Sequence, residues 1–423
     1  MRHFMGVLAV FLYFKPKVLV IVMLGVASGL PLSLSASTLS AMLMDTGIGI
    51  AKIAIFGLAS TPYAFKYLWS PLVDNLSLPI LSKVLGRRTA WLLLTQILLF
   101  FTITFVGFYA AQAPNLFILG AGVFCIAFLS ATQDIIIDAY RIEILTDEEQ
   151  GSGAAAVTFG YRIGMLISSA GSLFIAEYLN WAIAYSSVAL FLIPGALAAL
   201  AYGEPSLLRR SRKVYSNFIA WLRHSFADPF IEFIKQRNWF VIICLVLLYK
   251  LSDAYIGMLT TPFLMDIGFS RVEIASIIKL YGFLTTIVGM FIGGYLIAKY
   301  QNMGFILVLG LILQCVSNLV FVVQASYGND PSVLIAVISV ENFCSGLSNA
   351  SLVAYISTVV KKEFAATHYA ILSSLAVVGR TVISSSAGFV VSILGWINFF
   401  YFSALLSLPA FICLYYLYYR KNK

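Results

Sequence analysis

Apolar runs of about 20 residues recur along the whole chain, with mostly short polar stretches between them. Because a helix needs ~20 mainly apolar residues to cross the ~30 Å hydrocarbon core of a bilayer, each run predicts one transmembrane span. Only two polar connections are longer, at 73–89 and 203–237. Twelve spans are predicted, at 17–39, 52–72, 90–110, 116–139, 153–177, 182–202, 238–262, 273–299, 303–324, 333–358, 367–390 and 395–419.

Composition supports this pattern. Hydrophobic residues make up 61% of the chain, charged residues 11%, and the mean hydropathy is +0.94. A soluble domain carries roughly 25% charged residues, so the composition excludes a soluble protein. The sequence therefore predicts an all-α polytopic membrane protein embedded in a lipid bilayer. No His/Cys spacing typical of a metal site and no nucleotide-binding loop is present, so neither metal nor cofactor is expected.

The charges of the loops predict the orientation of the spans. With a cytoplasmic N-terminus, cytoplasmic segments hold 20 of the 27 Lys and Arg residues, the outer loops hold two, and five lie within spans. Such a bias is typical of the positive-inside rule. Both termini and the linker are therefore expected in the cytoplasm. The net charge of +9 then reflects topology, and no nucleic-acid partner is expected.

The two halves of the chain resemble each other. Residues 43–54 align with 264–275 without gaps, with six of twelve positions identical, and each segment follows the first span of its half. We predict an N-terminal six-helix bundle at 1–202, a cytoplasmic linker at 203–237 and a C-terminal six-helix bundle at 238–423. Two parallel six-helix repeats are the architecture of the major facilitator transporters, whose central site lies near the bilayer midplane.

Ionisable residues within the spans are the main candidates for function. Each costs about 3 kcal/mol or more at the centre of a helix unless it is paired or hydrated. The alternative to a functional role is a salt bridge between helices or an end residue that extends its charge to the membrane surface. The nine residues are Lys66, Asp134, Asp138, Arg162, Lys250, Asp253, Lys279, Glu341 and Arg380.

Arg162 and Asp134 are both expected well inside the membrane. Arg162 lies nine residues past the predicted start of its span, ~14 Å deep, and Asp134 lies ~7 Å inside the same face. We expect Arg162 to face a cavity near Asp134, either binding an anionic substrate group or forming a static bridge. Asp134 and Asp138 share a helix face at i and i+4, and two close carboxylates suit a proton carrier. Asp134 is thus the leading proton-coupling candidate.

A second set of charges is expected at the cytoplasmic gate. Gly86-Arg87-Arg88 after an acidic Asp74 resembles the cytoplasmic signature of the major facilitator transporters, although residues 76–85 separate the two parts. Asp138 lies almost at the interface beside Arg141. We predict a gating bridge between Asp138 and either Arg87 or Arg88.

The remaining candidates leave alternatives open. Lys250 and Asp253 either neutralise each other or contribute to the site, with Asp253 and Glu341 as alternate proton carriers. Lys66 and Lys279 either face the cavity or extend their charges to the surface. The Gly29-Leu30-Pro31 break and the hydroxyls after it predict either cavity lining or a simple kink. Candidate substrate contacts are Ser33, Ser37, Tyr63, Gln133, Tyr161, Arg162, Lys250, Lys279 and Arg380.

Several stretches of the chain resemble the AmpG-type muropeptide permeases. They include Phe65 to Leu72, Ser130 to Arg141, Gly160 to Leu166 and Leu248 to Ala254, and the resemblance covers nearly the whole chain. It implies a proton-coupled symporter of the bacterial inner membrane. That family imports anionic glycopeptides, the N-acetylglucosaminyl-1,6-anhydro-N-acetylmuramyl peptides, for cell-wall recycling.

Two other functions remain as alternatives at this point. The related acetyl-CoA transporters fit the same buried basic residues, because phosphates and carboxylates both bind arginine. A membrane-embedded transferase would need a nucleophile or base beside a donor site, and the sequence contains no such motif. We therefore expect a transporter, acting as a monomer, rather than an enzyme.

Overall fold

The computed structural model describes residues 15–46, 56–110, 112, 115–205, 223–378 and 383–419. These residues form helices, turns and loops, with no β-strand among them. Among the described residues, ten helical segments are long and apolar enough to cross a membrane: Pro16–Asp45, Arg87–Ala110, Leu116–Ile144, Asp147–Tyr178, Trp181–Tyr202, Trp239–Asp266, Phe283–Tyr300, Met303–Tyr327, Pro331–Val359 and Ala387–Tyr418. They coincide with ten of the twelve predicted spans.

The described parts of the second and eleventh predicted spans are shorter helices, and 52–55 and 379–382 lie outside the description. The described part of the second consists of Phe56–Ser60, Thr61–Phe65, Lys66–Leu68 and Ser70–Asn75. Pro62 and Pro71 each stand in the first turn of a new α-helix, where a missing N–H is tolerated but the preceding helix cannot continue. The eleventh comprises Ala365–Val378, Ser384–Ser386 and the start of Ala387–Leu405, which kinks at Gly395.

Several spans are interrupted within their length. The first divides into Pro16–Leu34 and Ser37–Asp45. The fifth contains Gln150–Leu166, a π-helical turn at Ile167–Gly171, and Ser172–Tyr178. The eighth contains Arg271–Ile277, a π-helical turn at Ile278–Gly282, and Phe283–Tyr300. The sixth span consists of Trp181–Leu190 and Ile193–Tyr202. The seventh consists of Trp239–Leu248 and Leu251–Asp266. The twelfth ends with Leu408–Leu414 and Tyr415–Tyr419.

The internal repeat has a structural counterpart in each half. Asp45, at the end of the first span, accepts a hydrogen bond of 3.0 Å from the indole N–H of Trp181 on the sixth. Asp266, at the end of the seventh span, accepts one of 2.7 Å from Trp396 on the twelfth. The repeated Leu-Met-Asp segment thus ties corresponding helices together in both bundles. We call this end of the molecule the outer end and the opposite end, where Asp74 and Thr367 lie, the inner end.

Glycines bring the first and fifth spans into backbone contact. A Cβ at Gly29 would lie 2.1 Å from the carbonyl oxygen of Tyr161, and one at Gly160 would lie 2.2 Å from that of Val22. Gly25 and Gly164 are equally tight. Small residues permit this close approach of helices in a bilayer, where apolar burial gives little driving force. The glycine spacing therefore fixes the fifth span against the first.

The two bundles pack against each other near the inner end. Ala154 of the fifth span is fully buried in a cluster with Ile297, Ile306 and Ala354 of the C-terminal bundle. Phe159 and Phe291 extend this contact, with ring centroids 5.2 Å apart. Towards the outer end the same helices line a cavity instead.

Candidate functional site

A central cavity of about 720 Å³ lies between the two bundles. The N-terminal bundle contributes Ser37 and Thr38 of the first span and one face of the fifth. The C-terminal bundle contributes Ile278, Phe283 and Thr286 of the eighth span and Asn342 of the tenth. Its size falls within the usual ~300–1,000 Å³ range of small-molecule sites. Of the predicted substrate contacts, Arg162 and Ser37 are part of its wall.

One continuous stripe of the fifth span forms the longest wall of the cavity. It has the i, i+3, i+4 spacing of a single helix face. Its deepest member is Arg162, which is exposed, and its outermost is Tyr178. The stripe consists of Arg162, Met165, Leu166, Ser169, Ala170, Leu173, Phe174, Glu177 and Tyr178. The cavity is therefore amphipathic along its length, with a cation at the deep end.

A cluster of charges in the C-terminal bundle approaches the deep end of the cavity. Lys250 forms an ion pair of 2.5 Å with Asp253, and Ser345 bridges the two through bonds of 3.3 and 3.1 Å. Glu341 accepts a hydrogen bond of 2.5 Å from its neighbour Asn342 and interacts electrostatically with Asp253, Lys250 and Arg162. Lys250 and Asp253 thus pair, one of the two alternatives left open by the sequence.

Arg162 acts on a different carboxylate from the one expected. The sequence placed Arg162 near Asp134 of its own bundle, whereas in the structure it interacts electrostatically with Glu341 of the other bundle. The charged groups that act on Asp134 are Lys66 and Asp138. The reason is packing: the glycine contact of the first and fifth spans directs the face of Arg162 across the cavity.

Asp134 instead belongs to a buried polar cluster inside the N-terminal bundle. Its carboxylate accepts a hydrogen bond of 2.5 Å from Ser28 of the first span. Lys66 is only 7% exposed and acts on both Asp134 and Asp138, so it does not extend its charge to the membrane surface. The hydroxyl of Tyr63 is buried close to Asp134.

Three other candidates pack within the N-terminal bundle. Gln133 is fully buried and donates to the carbonyl of Ala27 over 2.9 Å. Ser33 is also buried, and the backbone of Tyr161 packs against Gly29. Gln133 therefore connects the fourth and first spans, whereas the sequence suggested that it contacts substrate.

The break in the first span lies later than the sequence suggested. The helix continues through Pro31 to Leu34 and is interrupted at Ser35 and Ala36, where Ser35 donates to the carbonyl of Pro31 over 3.0 Å. Ser37 follows this interruption and faces the cavity.

An inner gate closes the opposite end of the cavity. We give this name to Asp74, Arg88, Arg141, Glu143, Ser357 and Thr367. Arg88 is completely buried and bonds Asp74 and Glu143, each over 2.7 Å. Asp74 in turn accepts hydrogen bonds from the backbone N–H groups of Ala366 and Thr367 and from the Thr367 hydroxyl, over 3.2, 2.8 and 2.6 Å. A carboxylate of one bundle thus caps a helix of the other.

The predicted bridge from Asp138 to Arg87 or Arg88 is wrong. Asp138 lies 3.6 Å from Arg141, and the ion-pair partner of Arg88 that the prediction missed is Glu143. Arg141 also donates a hydrogen bond of 2.9 Å to Ser357, so it joins the two bundles. Glu143 follows Asp138 by five residues near the end of the same helix. Its charge within an apolar segment is the feature of the sequence that could have identified it as a partner of Arg88.

The linker reinforces this closed end. Its helix Asp228–Ile234 presents Glu232, which pairs with Lys361 over 2.6 Å. The Pro229 carbonyl lies 2.9 Å from a ring nitrogen of His368. Lys361 and Lys235 hold the pKa of Glu232 below its usual range. The pair with Lys361 is therefore kept at neutral pH and lost only as the pH falls through that lowered pKa.

Two predicted basic residues cannot be located in the site. Arg380 lies outside the described residues. Lys279 belongs to the π-helical turn at Ile278–Gly282, whose first residue lines the cavity, but its side chain lies outside the description.

Comparisons with known proteins place the chain in a family. The Major Facilitator Superfamily model matches residues 242–423, and a model described as acetyl-coenzyme A transporter 1 matches residues 17–118. The anhydromuropeptide permease of Escherichia coli K12 is 37% identical over 402 residues, which are 95% of this chain and 79% of the permease. AmpG 4 of Rickettsia felis is 35% identical over 94% of this chain and 95% of its own length.

The chain belongs to the AmpG family of transporters. Because these relatives are transporters and permeases, this AmpG-family chain is a multi-pass membrane transporter and not an enzyme. Among solved structures, the human organic anion transporter TETRAN matches with a TM-score of 0.67 at 16% identity, covering 94% of this chain and 99% of its own. The proton:xylose symporter XylE matches with a TM-score of 0.66 at 12% identity, covering 96% of each chain. Both confirm the major facilitator fold.

Proposed function

We propose that this AmpG-family transporter imports anhydromuropeptides across the bacterial inner membrane, driven by protons. The observation that carries the proposal is the amphipathic central cavity, with Arg162 at its deep end and a size suited to one small amphiphile. An arginine offers a planar fork that matches a carboxylate. The E. coli relative, named for anhydromuropeptides, supports this cargo.

The proposed direction, import, requires a state in which the inner end is closed and the cavity can receive cargo from the outer side. The inner gate and the Ala154 cluster join the bundles at the end that the loop charges predict to be cytoplasmic. The cavity lies on the other side of this contact. A transporter in this state accepts cargo from the periplasm, as import requires, and a single copy of the chain contains the whole cavity.

Three carboxylates are candidates for proton coupling. Asp134 remains a candidate because it accepts a hydrogen bond from Ser28 and interacts electrostatically with Asp138 and Lys66. Glu341 and Asp253 lie in the charge cluster that reaches Arg162. A proton on Glu341 would remove a competitor of the cargo for Arg162, which links proton binding to cargo binding.

A second cargo is favoured by one observation. The acetyl-coenzyme A transporter model matches residues 17–118, which include Ser37, Thr38 and the inner-gate residues Asp74 and Arg88. Phosphates bind arginine as carboxylates do. Acetyl-CoA is therefore the alternative to be tested beside the muropeptide.

The experiment is uptake of radiolabelled anhydromuropeptide into proteoliposomes, with and without an inward proton gradient. Gradient-dependent accumulation that excess unlabelled acetyl-CoA does not reduce is the expected result. If labelled acetyl-CoA accumulates and the muropeptide does not, the cargo assignment is wrong. Uptake of muropeptide without response to the gradient would reject only the coupling.

A further inference from the structure

The part of the linker that precedes the seventh span lies across the inner gate. We call residues 223–237 the gate strap. Its π-helical turn at Arg223–Ala227 packs against the helix of the N-terminal bundle that carries Asp74. Its helix Asp228–Ile234 packs against the helix of the C-terminal bundle that carries Thr367. Because Asp74 and Thr367 form the bond that joins the bundles, one short segment contacts both sides of this bond.

Pro229 and Phe233 form the face of the strap that packs on the gate. They lie four residues apart, on one side of the helix, and both are buried. The ring centroid of Phe233 lies 5.5 Å from that of His368, which directly follows Thr367 in the chain. When the gate opens, Asp74 and Thr367 move apart, and one short segment cannot keep its contacts with both bundles. The present position of the strap therefore belongs to the inner-closed state.

The opposite face of the strap is exposed and amphipathic. Ile231 and Ile234 lie on one side of the helix, three residues apart, and are 40% and 52% exposed. The side chain of Lys235 is 66% exposed, and Arg223 and Arg237 are exposed as well. Exposed apolar side chains flanked by Lys and Arg are typical of a helix that lies in the headgroup region of a bilayer.

The strap also ends where the chain enters the membrane. Asn238 has a left-handed backbone conformation, with φ of +65°, and Trp239 begins the seventh span. Phe240, in the first turn of this span, is 62% exposed, as expected of a side chain that faces lipid. The exposed face of the strap thus lies close to the membrane surface. The loop charges predict that this surface is cytoplasmic, and the cytoplasmic leaflet carries anionic lipids.

The carboxylate of Glu232 does not prevent binding of an anionic headgroup. Glu232 pairs with Lys361 over 2.6 Å and with Lys235 over 3.2 Å. When Lys235 turns towards a lipid phosphate, Glu232 keeps Lys361 as its partner. Contact of the exposed face with lipid is therefore compatible with contact of the buried face with the gate.

We infer that the gate strap binds anionic phospholipids of the leaflet at the inner end, and that this binding stabilises the inner-closed state. Ile231 and Ile234 enter the headgroup region, and Lys235 and Arg237 contact lipid phosphates. Opening of the gate takes the strap away from one bundle and withdraws part of its exposed face from the bilayer. The lipid therefore binds the closed state better than the open state and shifts the equilibrium towards it. This inference concerns the two states of the transporter and holds for either cargo.

The test uses the full chain in nanodiscs of phosphatidylcholine alone, or of phosphatidylcholine with phosphatidylglycerol. A version without the five native cysteines carries Ala154→Cys, at a position buried between the bundles, so that thiol labelling reports opening of the inner end. Labelling is expected to be roughly three- to tenfold slower with phosphatidylglycerol, because each Lys or Arg near an anionic surface strengthens binding about fivefold. High salt should remove the difference by screening these charges.

Variants of the strap locate the effect. Lys235→Gln combined with Arg237→Gln should bring the labelling rates in the two kinds of nanodisc within about twofold of each other. Lys83→Gln is the matched control for Lys235→Gln, since it removes an exposed lysine outside the strap, in the helix Leu81–Leu85. It should leave the lipid effect unchanged. In phosphatidylcholine alone all variants should label at the wild-type rate, which also shows that they are folded.

Three results would overturn the inference. The first is a wild-type labelling rate that phosphatidylglycerol leaves unchanged or increases. The second is a lipid effect that Lys83→Gln weakens as much as Lys235→Gln does, because the lipid would then act on the inner end as a whole. The third is an equal slowing by soluble glycerol phosphate in nanodiscs of phosphatidylcholine, because the strap would then bind a phosphate from solution and not the bilayer.

Discussion

The hydroxyl of Thr367 offers a way to test the inner gate without disturbing its buried ion pairs. Its bond of 2.6 Å to Asp74 joins the two bundles and exists only while the inner end is closed. Thr367→Val removes this bond and keeps the shape of the side chain. We expect the variant to open at the inner end more often than the wild type.

The size of the effect follows from the remaining partners of Asp74. A hydrogen bond to a charged group contributes about 1.5–3 kcal/mol. Asp74 retains Arg88 and the N–H groups of Ala366 and Thr367, so its charge stays satisfied and the lower value applies. A loss of about 1.5 kcal/mol corresponds to a roughly tenfold larger population of the inner-open state.

The assay is thiol labelling from the inner side. A version without the five native cysteines receives Ala154→Cys, at a position that is fully buried between the bundles. Its labelling rate is proportional to the inner-open population while that population is small. The rate should rise about tenfold when Thr367→Val is added.

A control and a contrary result make the test decisive. Thr102→Val makes the same chemical change where the hydroxyl bonds only the Leu98 carbonyl of its own helix, and it should leave the labelling rate unchanged. If Thr367→Val also leaves the rate unchanged, the bond between the Thr367 hydroxyl and Asp74 does not help to hold the bundles together.

Three other outcomes are expected. Trp181→Phe and Trp396→Phe each remove an Asp–Trp hydrogen bond. Each should lower the free energy of unfolding in detergent by about 1–2 kcal/mol. An unchanged free energy of unfolding in both variants would mean that the repeated Asp–Trp bond has no stabilising role. Glu204→Ala removes the carboxylate that accepts from the backbone N–H groups at the start of the third span, over 3.1 Å each, at a cost of about 0.5–2 kcal/mol in the same measurement. Glu341→Gln should abolish gradient-driven accumulation but retain cargo exchange in proteoliposomes; if Asp134→Asn alone has this effect, coupling belongs to Asp134.

Much of the fold could be predicted because the bilayer imposes one rule along the whole chain. A helix needs ~20 apolar residues to cross it, and ten predicted spans correspond to long apolar helices. The second span was predicted as one run, but Pro62 and Pro71 divide it into short helices. Hydropathy counts apolar residues and is insensitive to a missing backbone N–H.

The candidate site was predictable only in part. The cost of a charge in the membrane pointed to Arg162, which lines the cavity, and to the pair of Lys250 and Asp253, which lie three residues apart in the seventh span. Neither the approach of Arg162 to Glu341 nor the bond of Asp74 to Thr367 was predicted. These contacts join residues more than 150 positions apart, and they depend on how two bundles meet, for which one sequence holds no local signal.

The π-helical turn of the fifth span gives this helix two different mechanical properties. On the inner side of the turn, Gly160 and Gly164 pack the helix directly against the first span, so this part is held in place along its length. Above it, Ser172–Tyr178 extends about 10 Å beyond the π-helical turn at Ile167–Gly171, the point at which this helix is least regular. A bend of roughly 20° at this turn would move Tyr178 by about 4 Å. Such a bend would change the width of the cavity at its outer end without rotation of either bundle.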